Sequence, residues 1–131
     1  MGARLASELK GVVLLIGDLG AGKTTLVKGI AEGLGAAREE EVSSPTFTLI
    51  HEYGNPVKVY HIDLYRLDTE REVESLGLDE LWAKDRLVLI EWGERFPRLM
   101  PLPRMEITIT AQEDESRVIE FSVREWREKT E

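Results

Sequence analysis

The 131-residue sequence contains no cysteine, few aromatic residues and no apolar run long enough to cross a bilayer. The absence of cysteine excludes disulfides and thiolate metal sites, and it is typical of cytoplasmic proteins. The longest aliphatic run, residues 12–16, is far shorter than the roughly 20 residues of a membrane helix, and no signal-peptide pattern precedes it. The sequence therefore predicts a cytoplasmic protein without a membrane segment.

Basic charge is also scarce. The chain has 17 Lys and Arg residues against 25 Asp and Glu residues, a formal net charge of -8, and no basic block. This balance disfavours strong direct binding of nucleic acid, because nothing in it would neutralise a run of phosphates. No internal repeat, low-complexity tract or linker divides the chain, so residues 1–131 are predicted to form a single domain.

Apolar periodicity predicts strands that alternate with helices. Helices are expected at residues 4–10, at 24–34 with Gly35 as its end, and at 67–76 with Gly77 as its end. Buried strands are expected at 12–16 and 86–91, the second covered on both faces. Alternating patterns at 46–52 and 57–63, and again at 105–111 and 117–123, predict two antiparallel hairpins.

A glycine-rich loop separates the first strand from the helix that follows it, and it fits the pattern G-x-x-x-x-G-K-[ST]. Its residues are Gly17, Asp18, Leu19, Gly20, Ala21, Gly22, Lys23 and Thr24. Glycines let successive backbone N–H groups turn toward phosphate oxygens. Lys23 would then supply positive charge to the β and γ phosphates, and the Thr24 hydroxyl would bind Mg²⁺.

This motif, between an apolar strand and an amphipathic helix, predicts the fold class. It is α/β, a P-loop NTPase-like three-layer sandwich whose mixed sheet carries antiparallel hairpins. The Asn-Lys-x-Asp string that reads guanine is missing, and the nearest string is Ala-Lys-Asp at residues 83–85. ATP is therefore favoured over GTP.

A catalytic phosphate loop needs an acid at the end of a neighbouring strand to hold Mg²⁺ and a group that positions the attacking oxygen. Asp63 and Glu91 both stand at predicted strand ends. Glu91 ends the more apolar strand, which we expect beside the loop strand, so Glu91 is favoured as the nearer metal ligand and Asp63 as a helper. The reverse assignment stays open. For His61, two residues before Asp63, a structural role is favoured over a catalytic one.

Two further residues could reach the nucleotide. Thr46 follows a Ser-Ser-Pro string ahead of a strand, a position from which a nucleotide-sensing segment would reach the γ-phosphate or Mg²⁺, although an ordinary proline turn explains it equally well. Trp92 follows Glu91 directly, which places an aromatic ring near the predicted nucleotide unless it serves packing alone.

The sequence closely resembles one family, the bacterial ATPases required for threonylcarbamoyladenosine modification of tRNA (TsaE). The resemblance runs from about residue 11 to residue 97 and rests on four strings in the family's order and spacing. They are G-D-L-G-A-G-K-T-T at 17–25, S-P-T-F-T-L at 44–49, H-I-D-L-Y-R-L at 61–67 and I-E-W-G-E at 90–94.

The resemblance implies an accessory ATPase that works with two partner proteins, a tRNA-modifying synthase and its companion subunit, and meets tRNA only through them. It implies phosphate contacts from Lys23 and Thr25, Mg²⁺ held by Thr24 and Glu91, and assistance from Asp63. By the same analogy Thr46 belongs to a switch-like segment and Trp92 lies beside the nucleotide. Family members usually have a longer N-terminal segment, so no adenine contact is assigned.

The alternative hypothesis is a P-loop small-molecule kinase. Such enzymes need an acceptor-binding segment and an arginine-bearing lid, whereas the 40 residues after Glu91 are predicted to form a hairpin and a charged tail. A nucleotide-binding scaffold without turnover is a third hypothesis. No arginine finger is evident in the sequence, so we expect ATP hydrolysis by the isolated protein to be slow.

Overall fold

The computed structural model describes residues 11–17, 22–35, 50–54, 58–82, 86–114 and 116–125. The helix predicted at residues 4–10 and the start of the first predicted hairpin, residues 46–49, lie outside these ranges. The described strands are β1 (Val12–Ile16), β2 (Ile50–Tyr53), β3 (Val59–Asp63), β4 (Leu87–Glu91), β5 (Arg104–Ala111) and β6 (Arg117–Arg124). The described helices are α1 (Lys23–Gly33), α2 (Glu70–Glu74) and α3 (Asp79–Trp82).

All six strands belong to one mixed sheet in the order β2-β3-β4-β1-β5-β6. The four inner strands β3, β4, β1 and β5 run parallel, and each edge strand pairs antiparallel with its neighbour. The two outer pairs, β2 with β3 and β5 with β6, are the two predicted hairpins. β4 lies directly beside β1, as its continuous apolar run indicated, because central parallel strands are buried on both faces.

Helices cover both faces of this sheet, which confirms the predicted three-layer α/β arrangement. On one face α1 buries Leu26, Val27 and Ile30 against the odd-numbered side chains of β1 and β4. On the other face α2 and the segment leading into α3 bury Val73 and Leu78 against the even-numbered side chains. No helix within the described ranges is long and apolar enough to span a membrane.

Local sequence signals explain where the helices begin and end. Thr69 caps α2 in a capping box, since its side chain accepts a hydrogen bond from the Glu72 N–H while the Glu72 carboxylate accepts one from the Thr69 N–H. Gly35 and Gly77 both have a φ of 67°, the left-handed conformation that commonly ends a helix. Gly35 directly follows the cap residue of α1, as predicted. The helix predicted at residues 67–76 is shorter in the structure, because α2 ends at Glu74 with Ser75 as its cap, and Gly77 lies in the turn that follows.

The segment after β4, which the prolines mark as a loop, contains two short 3-10 turns, Gly93–Arg95 and Pro97–Leu99. A Cβ added at Gly93 would lie 2.8 Å from Met100 Sδ and 3.0 Å from Leu14 Cδ2. Only glycine fits there without displacing buried side chains. This close approach seats the chain that follows Glu91 against β1.

Candidate functional site

The carboxyl ends of β1, β4 and β3 meet at one edge of the sheet. In the parallel ladders Asp63 pairs with Glu91, and Glu91 pairs with Leu15. Side chains paired in this way point to the same face, which is the face that α1 covers. The loop that joins β1 to α1 begins at this edge, where open α/β sheets bind their ligands.

Lys23 is the first residue of α1 and is almost completely buried, with 4% of its surface exposed. Its Nζ donates a hydrogen bond to the Gly17 carbonyl oxygen at 2.7 Å and lies 4.0 Å from Glu91 Oε1. The second distance is an ion pair too long to be a hydrogen bond. The same Nζ lies 4.0 Å from the ring centroid of Trp92, a cation–π contact. Lys23 thus joins the loop to the end of β4.

Trp92 has a left-handed backbone, with φ 67° and ψ 16°, and is the one non-glycine residue with positive φ in the described ranges. Such a conformation is uncommon for a bulky residue and costs roughly 1–2 kcal/mol. It turns the chain sharply after Glu91 and brings the indole over Lys23. The Tyr65 ring packs against the indole with centroids 5.2 Å apart. Strain of this kind clusters at functional sites.

Two buried carboxylates face the ammonium group of Lys23. Glu91 Oε2 lies 2.6 Å from His61 Nε2. Asp63 Oδ1 accepts a hydrogen bond from the Tyr65 N–H at 2.9 Å. Burial raises the pKa of the Asp63 carboxyl, and the negative charge of Glu91 raises it further, against the opposing effect of the Tyr65 hydrogen bond. The site therefore concentrates negative charge that a bound cation would offset.

The raised pKa of Asp63 predicts a stability effect that does not require a ligand. A carboxyl whose pKa is higher in the folded than in the unfolded protein binds its proton more tightly when folded. Its ionisation therefore lowers the free energy of unfolding as pH rises from its ordinary value through the raised one. Asp63→Asn cannot ionise and can still accept the Tyr65 hydrogen bond. It should therefore be more stable than wild type at pH 8, and this advantage should become smaller as the pH is lowered to 4.

Thermal unfolding from pH 4 to pH 8 in EDTA measures this difference. Asp114→Asn is the matched control of opposite sign, because hydrogen bonds from Ser116 lower the pKa of the exposed Asp114 carboxyl. If the difference in stability between Asp63→Asn and wild type were the same at every pH, the Asp63 carboxyl would not have a raised pKa.

The structure describes only part of the predicted phosphate loop. Gly17 and Gly22 lie at its two ends, and Gly22 has a φ of 104° that favours glycine. Thr24 is half-buried and Thr25 exposed in the first turn of α1. Asp18, Leu19, Gly20, Ala21 and Thr46 lie outside the described residues. Lys23, Asp63, Glu91 and Trp92 are brought together.

Three residues near the site received no catalytic role from the sequence. His61 contacts Glu91, as described above. Glu94 lies beyond Trp92, its Oε1 has no hydrogen-bond partner among the described residues, and burial raises the pKa of its carboxyl. Arg117 begins β6, and its Nε lies 3.8 Å from a Cβ placed on Gly22. Arg117 comes close to the loop because β6 pairs with β5 and β5 pairs with β1. The alternation of apolar residues in the sequence does not indicate this order of strands.

The buried carboxylates at the ends of β3 and β4 are of the kind that hold Mg²⁺ together with nucleotide phosphates. No group of three His, Asp or Glu side chains able to hold a metal is found in the described part of the chain. Mg²⁺ is usually bound by one or two carboxylates together with phosphate oxygens, rather than by a cage of protein ligands. The paired ends of β3 and β4 supply such carboxylates, and the first turn of α1 suits a phosphate.

A lysine in the first turn of the helix after a central strand, facing carboxylates on the neighbouring strands, is the arrangement of P-loop nucleotide-binding proteins, and the chain is a member of that class. A family model described as "Threonylcarbamoyl adenosine biosynthesis protein TsaE" matches residues 1–119. The chain belongs to this family, which confirms the resemblance of the four sequence strings.

Individual proteins that are similar to this chain agree with the family assignment. A protein of Bacillus subtilis (strain 168), named "tRNA threonylcarbamoyladenosine biosynthesis protein TsaE", is 47% identical over 112 residues, which cover 85% of this chain and 68% of the relative. A protein of the same name from Haemophilus influenzae is 40% identical over 112 residues, covering 85% and 70%. The crystal structure of Bacillus subtilis YdiB superposes with a TM-score of 0.73 at 37% identity, covering 93% of this chain and 75% of that one.

Proposed function

We propose that this chain is a Mg²⁺-dependent ATPase, a single P-loop domain that serves as an accessory protein in threonylcarbamoyladenosine modification of tRNA. Family membership and the names of the relatives support the role in tRNA modification. The ATPase activity is supported most by one observation. Lys23, Asp63 and Glu91 lie together at the edge of the sheet where the three adjacent parallel strands β1, β4 and β3 end.

Each residue has a task in this proposal. Lys23 would release the Gly17 carbonyl and bind phosphate oxygens with its buried ammonium group, alongside the backbone N–H groups of the loop and Thr25. Thr24 and Glu91 are the residues that would hold Mg²⁺. The metal, when bound, neutralises charge on the phosphates and fixes their orientation.

Asp63 would assist by orienting water. The Tyr65 N–H fixes one oxygen of its carboxylate, so the second oxygen is the one that would accept a hydrogen bond from the attacking water. Trp92 would cover Lys23 from the side of β4 and limit access of bulk water. Thr46, by the family resemblance, would report the state of the nucleotide.

The net charge of -8 favours an indirect relation to RNA. At neutral pH the chain would repel tRNA, which would therefore be held by partners of opposite charge. We propose as partners the synthase that modifies the tRNA and its companion subunit. We also expect turnover to be slow without them, because stimulation by a partner is a general means of activating such loops. A cytoplasmic location suits this role.

A reconstitution experiment tests the proposal. Purified protein is incubated with ATP and Mg²⁺, with and without the synthase, its companion subunit and tRNA. Released phosphate and modified nucleoside are both measured. We expect partner-dependent stimulation of phosphate release and formation of threonylcarbamoyladenosine. Turnover that ignores the partners, with transfer of phosphate to a metabolite in a cell extract, would instead support the small-molecule kinase.

A further inference from the structure

His61 is a polar residue in one of the most apolar places of the fold. It lies on β3 between Tyr60 and Ile62, with 0% of its surface exposed. Its Cα partner on β4 is Leu89, so Glu91 is the diagonal neighbour on the same face. The distance of 2.6 Å from His61 Nε2 to Glu91 Oε2 is that of a strong, charge-assisted hydrogen bond.

The surroundings of the ring indicate which nitrogen carries the proton. His61 Nδ1 has no hydrogen-bond partner among the described residues. A proton on Nδ1 would be an unpaired buried donor, whereas a proton on Nε2 is donated to the Glu91 carboxylate. The neighbouring His51 ring packs edge-on against His61 at 6.5 Å, and its own Nδ1 lies 3.1 Å from the Tyr53 hydroxyl. His51 therefore packs against the imidazole without orienting it.

Packing alone does not account for a histidine at this position. An unpaired buried nitrogen costs roughly 1–3 kcal/mol, and an aliphatic side chain would fill the same space without that loss. Buried polar atoms normally have hydrogen-bond partners, and the exceptions are often found at functional sites. The unpaired Nδ1 therefore points to a function for the hydrogen bond between His61 Nε2 and Glu91.

We propose that His61 is a positioning residue for Glu91. The proposal rests on the Mg²⁺ role proposed for Glu91 above. By holding Oε2, His61 directs Oε1 toward Lys23 and the metal site, and it keeps Oε1 4.0 Å from the ammonium group. Without this restraint Glu91 would close on Lys23 and form a direct ion pair. That pair would compete with the phosphate for the lysine and with the metal for the carboxylate.

Two substitutions separate this role from simple packing. His61→Leu removes the donor and keeps an apolar filling, whereas His61→Gln keeps an N–H donor close to the position of Nε2. Binding of Mn²⁺ is followed by electron paramagnetic resonance in the presence of ADP, so that no turnover is needed. We expect His61→Leu to weaken Mn²⁺ binding about 10-fold, with little loss of thermal stability, and His61→Gln to restore most of the affinity.

His51→Leu is the control, since it removes a half-buried ring that packs against His61 without touching Glu91, and it should leave Mn²⁺ binding unchanged. Unaltered Mn²⁺ binding in His61→Leu would overturn the proposal. Equal losses in the Leu and Gln variants that follow a fall in melting temperature would overturn it as well, because they would show a packing role only.

The wild-type protein offers a test that does not depend on the folding of any variant. Nitrogen-15 shifts of the His61 ring in the metal-free protein should report a proton on Nε2 and none on Nδ1, and the reverse tautomer would overturn the assignment. Glu91→Gln separates this inference from the proposed function. If Glu91→Gln abolishes Mn²⁺ binding and His61→Leu does not, only the positioning role fails. If Glu91→Gln retains full Mn²⁺ binding, the metal role of Glu91 fails.

Discussion

Replacing Lys23 by alanine is expected to weaken ATP binding roughly 10- to 150-fold and to remove turnover. The binding loss corresponds to the about 1.5–3 kcal/mol of a hydrogen bond to a charged group. The loss of turnover is larger, at least about 100-fold, because a preorganised positive charge stabilises the transition state more than the ground state. Lys23 is the described cation that contacts both the start of the loop and the end of β4.

Calorimetry with ATP and a phosphate-release assay measure the two effects. Lys23→Met is a second variant that fills the buried space without the charge, and it should lose affinity as the alanine variant does while unfolding close to the wild-type temperature. Lys28→Ala, five residues further along the same helix, is the matched control and should bind ATP normally. ATP affinity that survives in Lys23→Ala and Lys23→Met would contradict the assigned phosphate site.

Glu91→Gln is expected to reduce Mg²⁺-dependent turnover by about 100- to 1,000-fold while nucleotide still binds in EDTA. The size of the loss is that of removing one preorganised electrostatic group from an active site. The amide has the shape of the carboxylate and can accept the His61 hydrogen bond through its oxygen, but it provides no negative charge for the metal. Binding without metal should be preserved, because the substitution removes a negative charge beside the phosphates.

The comparison with Asp63→Asn ranks the two carboxylates. We expect Glu91→Gln to raise the Mg²⁺ concentration needed for turnover more than Asp63→Asn does. Asp63→Asn should lower the maximal rate with a smaller change in that concentration, as expected of a residue that orients water. Glu120→Gln, on the exposed strand β6, controls for the loss of one negative charge. The opposite ranking would move the main metal role to Asp63.

Much of the fold could be predicted because its signals are local. The run of apolar residues ending at Glu91 indicated a central strand beside β1, and the structure has that arrangement. The hairpins followed from period-two alternation, and α1 from apolar residues at helical spacing ended by Gly35. Such patterns depend on which side chains must be buried, so they are visible without knowledge of the tertiary contacts.

The parts that could not be predicted depend on contacts between distant segments. Nothing in the alternation of β5 indicates that it pairs parallel with β1. The hydrogen bond of His61 to Glu91 joins residues 30 positions apart, and only the register of β3 with β4 brings them together. The left-handed backbone of Trp92 is not indicated by local propensity either, because bulky residues rarely adopt it.

The most direct test of the account is the yield of threonylcarbamoyladenosine in tRNA, measured by mass spectrometry of nucleosides from the reconstituted reaction. Wild-type protein and Glu91→Gln are compared at saturating ATP and Mg²⁺, over enough time for many rounds of modification. We expect wild type to sustain the reaction, whereas Glu91→Gln, although folded and able to bind nucleotide, should not sustain it. Full modification by a Glu91→Gln protein that no longer hydrolyses ATP would contradict this expectation.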